Sequence, residues 1–319
     1  MKLGVSHQRQ EQLKPEHFKY LRQMGVEAME IRIPTADATP QNLSRIKKTV
    51  EAEGLEVFEV MLMDSYSMEA VALDLPGSAE ALARFKTFLR DLSDAGITRT
   101  TYAWSMGGTY QTGRSTTRES TTRLFKLEEA LAVPDTYDRT YDDESMWKSY
   151  TRFIEEVLPV AEDAGVSLQL HPSDPPVTHA GVASIFRSTE AFRRGMEMAN
   201  HSEYSGILFC VGTWGEMPGP NGTGEDVVAA IREFGGQGHI KQVHFRNTSG
   251  HLPDFIETYP DNGYLDMLAI MQALRDVEFE GIVVPDHVPR IGEEASEAKI
   301  GEAYIFGYIR SLMESTKSL

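Results

Sequence analysis

A chain of 319 residues, 41 % apolar and 25 % charged, has the composition of a globular protein with room for one or two cores. Its formal net charge of −17, with no basic cluster beyond the RRG at 193–195, excludes nucleic acid as an expected partner. No apolar run reaches the roughly 18 residues of a membrane span, and the N-terminus lacks the apolar core of a secretory signal. A lone cysteine, Cys210, excludes an intrachain disulfide and fits a reducing cytoplasm.

Short apolar runs read as strands at 2–5, 28–33, 57–60, 98–103, 167–171, 207–210, 241–246 and 282–286. Amphipathic stretches lie between them. PEHFKYLRQM, LSRIKKTVEAE, ALARFKTFLRDLSDA and SYTRFIEEVLPVAEDA carry apolar residues at three- and four-residue steps. Each is followed by a glycine that can cap a helix C-terminus. The phrase helix, glycine, aliphatic residue, strand recurs at Gly25, Gly54, Gly96, Gly165 and Gly281. Repeated strand–helix units suggest a doubly wound sheet or a closed barrel, and eight of them favour an α/β fold of the (β/α)8 TIM-barrel type. The whole chain, 1–319, reads as a single barrel domain. Two stretches break the rhythm. Residues 105–143, polar and rich in Thr, Gly and Arg, hold a short expected helix around 123–132. Residues 247–263 form a second long loop. Both follow strands, so both are expected over the catalytic mouth as lids or binding loops.

Four ligand-type residues close successive strands of the second half: His171 in SLQLH, Cys210 in GILFC, His244 in IKQVH and Asp286 in GIVVPD. Taken singly, each has an ordinary reading. His171 can cap its strand on a backbone carbonyl, and Cys210 can be a small buried hydrophobe. A buried acid such as Asp286, however, needs a cation or donors. Four such residues at the C-terminal strand ends of a barrel point jointly to a divalent metal site with nitrogen, sulfur and oxygen donors. His287 adjoins Asp286 and is a candidate acid/base, or else a hydrogen-bond partner of the site. Arg246, two residues past His244, is a candidate carboxylate clamp or a plain ion-pair partner. Asn247 is a candidate for a substrate hydroxyl. The glycine-rich GGTYQTGR at 107–114 matches no nucleotide fingerprint.

HPSDPP (171–176), LFCVGT (208–213), VHFRN (243–247) and PDH (285–287), in this order and at these separations, resemble the mannonate dehydratase family. The similarity extends back to GLEVFEV at 54–60. The resemblance implies a xylose-isomerase-like TIM barrel. It also implies a divalent metal, usually manganese, and dehydration of D-mannonate to 2-keto-3-deoxy-D-gluconate, with a small anionic sugar acid as the substrate. The implied ligands are His171, Cys210, His244 and Asp286, and the implied acid/base is His287. There are departures. Ser173 stands where the family has an acid. MGGTYQTGR replaces an MPV…DWTR-like stretch, and Tyr259 replaces a histidine before the Asp-Gly turn. Ala303 occupies the place of a tyrosine, which makes Tyr304 the nearby candidate for a second proton carrier. A cysteine ligand fits zinc or iron by softness, whereas the family resemblance implies manganese. Two rival readings are a metal-dependent sugar isomerase or epimerase on the same barrel, and a barrel that binds metal and sugar acid without turnover. A homo-oligomer is compatible with the sequence.

Overall fold

The apolar runs pair edge to edge because each is short, β-branched and flanked by a helix that covers one face of it. In a computed structural model describing residues 1–291 and 298–317, the strands are β1 (Lys2–Arg9), β2 (Ala28–Ile33), β3 (Glu56–Leu62), β4 (Arg99–Ala103), β5 (Gly113–Thr117), β6 (Ser120–Lys126), β7 (Ser167–His171), β8 (Ser205–Cys210), β9 (Ile240–His244), β10 (Asn247–Thr248), β11 (Asp254–Thr258) and β12 (Ile282–Val284). Eight of them form a nearly closed parallel barrel in the order β3-β2-β1-β12-β9-β8-β7-β4. β3 and β4 lie side by side at the seam.

The helices are α1 (Pro15–Gln23), α2 (Pro40–Glu51), α3 (Glu69–Ala72), α4 (Ser78–Asp94), α5 (Leu127–Leu131), α6 (Asp143–Ala164), α7 (Thr189–Met198), α8 (Val211–Glu216), α9 (Val227–Gly236), α10 (Met267–Asp276) and α11 (Ala298–Ser315). α6 shows how sequence makes them. Asp142 caps it by accepting from the Ser145 backbone N–H at 2.9 Å. Met146, Tyr150, Phe153, Val157 and Ala161 then fall on one face and are buried. Gly165, at φ 66°, ends the helix in the left-handed conformation that costs a residue with a Cβ. Fully burying each large apolar side chain stabilises by about 1.5–3 kcal/mol, so this face anchors α6 to the barrel.

The barrel interior is not wholly apolar. Glu30 on β2 and Glu59 on β3 are both fully buried. Thr101 Oγ1 and Gln169 Nε2 donate to Glu59, at 2.5 and 2.8 Å. Gln242 Nε2 donates to Glu30 at 2.8 Å. Burial, with Glu30 nearby, pushes Glu59 up to about 8, so it is protonated at neutral pH. Burial also penalises the Glu30 charge, but His7 and His244 outweigh it and hold this acid well below the usual carboxylate range.

The two long loops meet in an antiparallel sheet of their own, β10-β11-β6-β5. This corrects the helix expected around 123–132. β6 runs to Lys126, and only the five residues of α5 are helical. The reason is non-local. Arg123 and Phe125 face the same side, and Phe125 pairs with Phe255 of β11, their rings stacked at 5.4 Å. That pairing overrides the local helical pattern. Leu252 and Ala130 complete a small satellite core under this cap.

Candidate active site

The C-terminal strand ends gather at one mouth, and the four donors expected there fall into two adjoining clusters that share His244. The ligand atoms of His171, Cys210 and His244 lie within 4.8 Å of one another. Asp286 Oδ2 is 3.4 Å from His244 Nδ1 and 4.0 Å from Cys210 Sγ. A tetrahedral ion with bonds of about 2.1–2.3 Å separates its ligands by about 3.4–3.8 Å; the His244–Asp286 spacing falls in that range and the Cys210–Asp286 spacing lies just above it. Hydrogen bonds orient both rings. His171 Nδ1 is 2.7 Å from the Pro172 carbonyl, which fixes its proton there and leaves Nε2 free. His244 Nε2 is 3.0 Å from Glu30 Oε2. His244 Nδ1 is buried without a hydrogen-bond partner, as expected of an atom with a metal to bind. Burial would raise the Cys210 thiol, yet Arg246 and the two histidines hold it well below its ordinary value, which favours the thiolate. The residues present therefore fit a divalent transition metal.

His7 belongs to the same cluster and was not anticipated. Its Nδ1 is 2.5 Å from Glu30 Oε1, its Nε2 is 3.0 Å from Asp286 Oδ1, and with His244 and Asp286 it forms a second set of convergent donors. His7 and His287 both have positive φ, 56° and 44°. For residues with a Cβ this is a strained backbone of the kind that gathers at functional sites.

Arg246 sits beside the donors, with both Nη groups hydrogen-bonded and its buried Nε without a hydrogen-bond partner. Nη1 donates to Glu216 at 2.5 Å, and Nη2 donates to Asp174 at 2.6 Å and to Thr213 at 2.9 Å. Its Nε faces Asp286 at 3.2 Å, and the side chain is 2 % exposed. In place of an open clamp, the structure shows an enclosed cation. Arg123, reaching in from β6, is enclosed in the same way: it donates to Asp174 at 2.7 Å and to Glu257 at 3.1 Å. Asn247 is also corrected. Its amide donates to the Pro260 and Leu265 carbonyls and accepts from the Thr248 and Leu265 N–H groups, so it ties the loop and has nothing left for a substrate.

His287 lines the cavity and is gripped by Glu257, with 2.6 Å from Nδ1 to Oε1. Burial lowers its pKa, but Asp286 and Glu257 raise it more, to about 9. Tyr304 does not join it. Tyr304 lies on the outer side, beside the Arg118–Asp261 ion pair and edge-on to Tyr259, and it is absent from the cavity wall. The phenol that does reach His287 is Tyr110, from the glycine-rich loop. Its hydroxyl lies 2.8 and 3.1 Å from the two ring nitrogens and 3.3 Å from Glu257 Oε1. In the neutral form of the ring, with Nδ1 donating to Glu257, the nitrogen left to accept from the phenol is Nε2. Arg123 stacks 3.7 Å over the Tyr110 ring. Burial beside Asp174 and Glu257 lifts this phenol well above its ordinary range, so it stays protonated. The cavity holds about 180 Å³. His7, Arg32, His171, His244, Asp286 and His287 are among its lining residues, with Tyr110 and Tyr66.

Fold and donor set together define a parallel α/β-barrel enzyme with a metal-type centre at its strand ends. The profile of the family described as D-mannonate dehydratase (UxuA) matches residues 117–318, more than half of the chain. A mannonate dehydratase of Oceanobacillus iheyensis is 28 % identical over 90 % of this chain and 88 % of its own. That of Thermotoga maritima is 27 % identical over 89 % of each. A crystal structure of mannonate dehydratase from Streptococcus suis serotype 2 superposes with a TM-score of 0.86, covering 99 % of this chain and 95 % of that one at 24 % identity. A D-psicose 3-epimerase from Clostridium cellulolyticum H10 shares the fold alone, at a TM-score of 0.64 and 14 % identity over 98 % of this chain and 99 % of that one. The chain belongs to the mannonate dehydratase family. Among the described residues, no helix is long and apolar enough to cross a membrane.

Proposed function

We propose that this chain is a hydro-lyase that converts D-mannonate to 2-keto-3-deoxy-D-gluconate with one divalent ion, manganese first among the candidates, held by His171, Cys210, His244 and Asp286. The observation that carries the reading is the buried, partnerless Nδ1 of His244 among three further donors, in a chain of this family. A divalent ion there supplies Lewis acidity for the charge developing on the substrate carboxylate and, by ligating Asp286, weakens the strongest charge that keeps His287 protonated.

Dehydration must remove the C2 proton and expel the C3 hydroxyl. We assign both proton movements to one pair of side chains. His287, oriented by Glu257, takes the C2 proton. The C2–H electron pair becomes the C2–C3 double bond as the C3–O bond breaks. Tyr110 gives its phenolic proton to the departing hydroxyl, which leaves as water. His287 then returns its proton to Tyr110, and the enol tautomerises to the 2-keto-3-deoxy acid. Arg246 supports the site from behind, holding Cys210 and Asp286 in their anionic forms.

The test is to supply metal-replete protein with D-mannonate and assay for a 2-keto-3-deoxy acid, whose appearance supports the reading. Dehydration of a different aldonate alone would change the substrate and keep the reaction. Isomerisation or epimerisation of a neutral ketose without dehydration would replace it.

A further inference from the structure

Resting on that reading, we propose that Arg32 recognises the substrate carboxylate and thereby makes the site selective for sugar acids over neutral sugars. A carboxylate entering this cavity meets Asp174 and Asp286 in the wall, so it needs a cation with hydrogen bonds to give. Arg246 and Arg123 give their Nη groups to Asp174, Glu216 and Glu257, and neither lines the cavity. Among the described residues that line the cavity, Arg32 is the only arginine or lysine.

Its bonding is incomplete. Arg32 Nε is buried without a hydrogen-bond partner. The nearest carboxylate oxygen to it, Glu30 Oε1, is 3.6 Å away. Nη2 points at His7 Nε2 at 3.0 Å, a nitrogen that also lies 3.0 Å from Asp286 Oδ1. That single imidazole nitrogen cannot accept from Arg32 and donate to Asp286 at once, so one contact is left without its proton or lone pair. A carboxylate at the cavity side of Arg32 would resolve the conflict, because a planar guanidinium gives such a group two parallel N–H bonds. Arg32 lies one residue from the end of β2 and His287 three past the end of β12, with β1, which carries His7, between the two strands. Arg32 and His287 line the same cavity, so a substrate held by its carboxylate on Arg32 keeps its carbon chain in the space that His287 lines.

The experiment compares wild type, Arg32→Met and Arg32→Lys, each with metal content and melting measured. KM for D-mannonate should rise about 10- to 100-fold in Arg32→Met, the usual scale for a lost charged hydrogen bond, with kcat changing far less. Arg32→Lys should recover part of the loss. D-mannitol, the neutral counterpart, should inhibit wild type and Arg32→Met equally. An unchanged KM, or a parallel loss of D-mannitol affinity that marks a merely structural role beside Glu30, overturns the proposal. Calorimetry separates it from the assigned reaction. If wild type dehydrates no D-mannonate, that reading fails on its own. The proposal then stands or falls on whether metal-free wild type prefers D-mannonate over D-mannitol and Arg32→Met loses that preference.

Discussion

The barrel and its cap place functional groups by different physics. In the barrel, eight parallel strands share one direction, so any residue at a C-terminal strand end arrives at the same mouth. His171, Cys210 and His244 converge for that reason, although 73 residues of chain separate the first from the last. In the cap, β5 and β6 follow one barrel strand and β10 and β11 another, and antiparallel pairing brings them together. Its link to the barrel includes Arg123, which reaches from β6 to Asp174 beyond β7 and to Glu257 on β11. The cap brings Tyr110 and Glu257 to His287. Topology thus gathers the donor cluster, whereas the groups around His287 depend on a few long-range ion pairs. The two halves of the site should fail separately when perturbed.

The largest expected effect falls on the cap side. His287→Asn should keep its metal and lose about 10²- to 10⁴-fold in turnover. Near-normal turnover in metal-replete protein would remove His287 from the chemistry. Next, Arg123→Met leaves Asp174 and Glu257 short of a buried partner, which typically costs about 3–5 kcal/mol. Hydrogen exchange should show β5, β6 and β11 losing protection while the barrel strands keep theirs. Uniform loss would mean that the cap and barrel are one cooperative unit.

The smallest effect belongs to the barrel interior. Glu59 is protonated up to about pH 8 in the fold but ionises near 4.5 when unfolded. Between those values the folded state holds more protons, so this group's contribution to stability falls as pH rises, by at most about 1.4 kcal/mol per unit. Glu59→Gln should flatten stability against pH in that window. An unchanged slope would show that Glu59 is ionised in the fold.

The same division explains what could be read in the sequence. The strands at Ala28–Ile33 and Ser167–His171 have the bounds their apolar patterns give, and the candidate metal donors were visible because each ends such a run or lies two residues past it. His7 was hidden because β1 continues past its apolar LGV into the polar SHQR, where the pattern that marks a strand stops. Glu30 and Glu59 lay hidden in AMEIRI and EVFEV, where an acid reads as the solvent side of an alternation. β9 ends at His244, so the two-residue period that seemed to aim Arg246 at the substrate does not reach it. What surrounds Arg246 comes from Asp174 and Glu216, which no local pattern names. The same holds for Tyr110. Its loop carries no strand or helix signal, and only the folded cap sets it beside His287.

The most direct measurement is divalent-ion stoichiometry after chelation and reloading with Mn2+, compared among wild type, His244→Ala and Tyr110→Phe. The account predicts one tightly held ion per chain in wild type, one in Tyr110→Phe despite its impaired turnover, and none in His244→Ala. Stoichiometric binding at unchanged affinity in His244→Ala, or loss of the ion in Tyr110→Phe, would contradict the claim that the barrel strand ends alone build the metal centre.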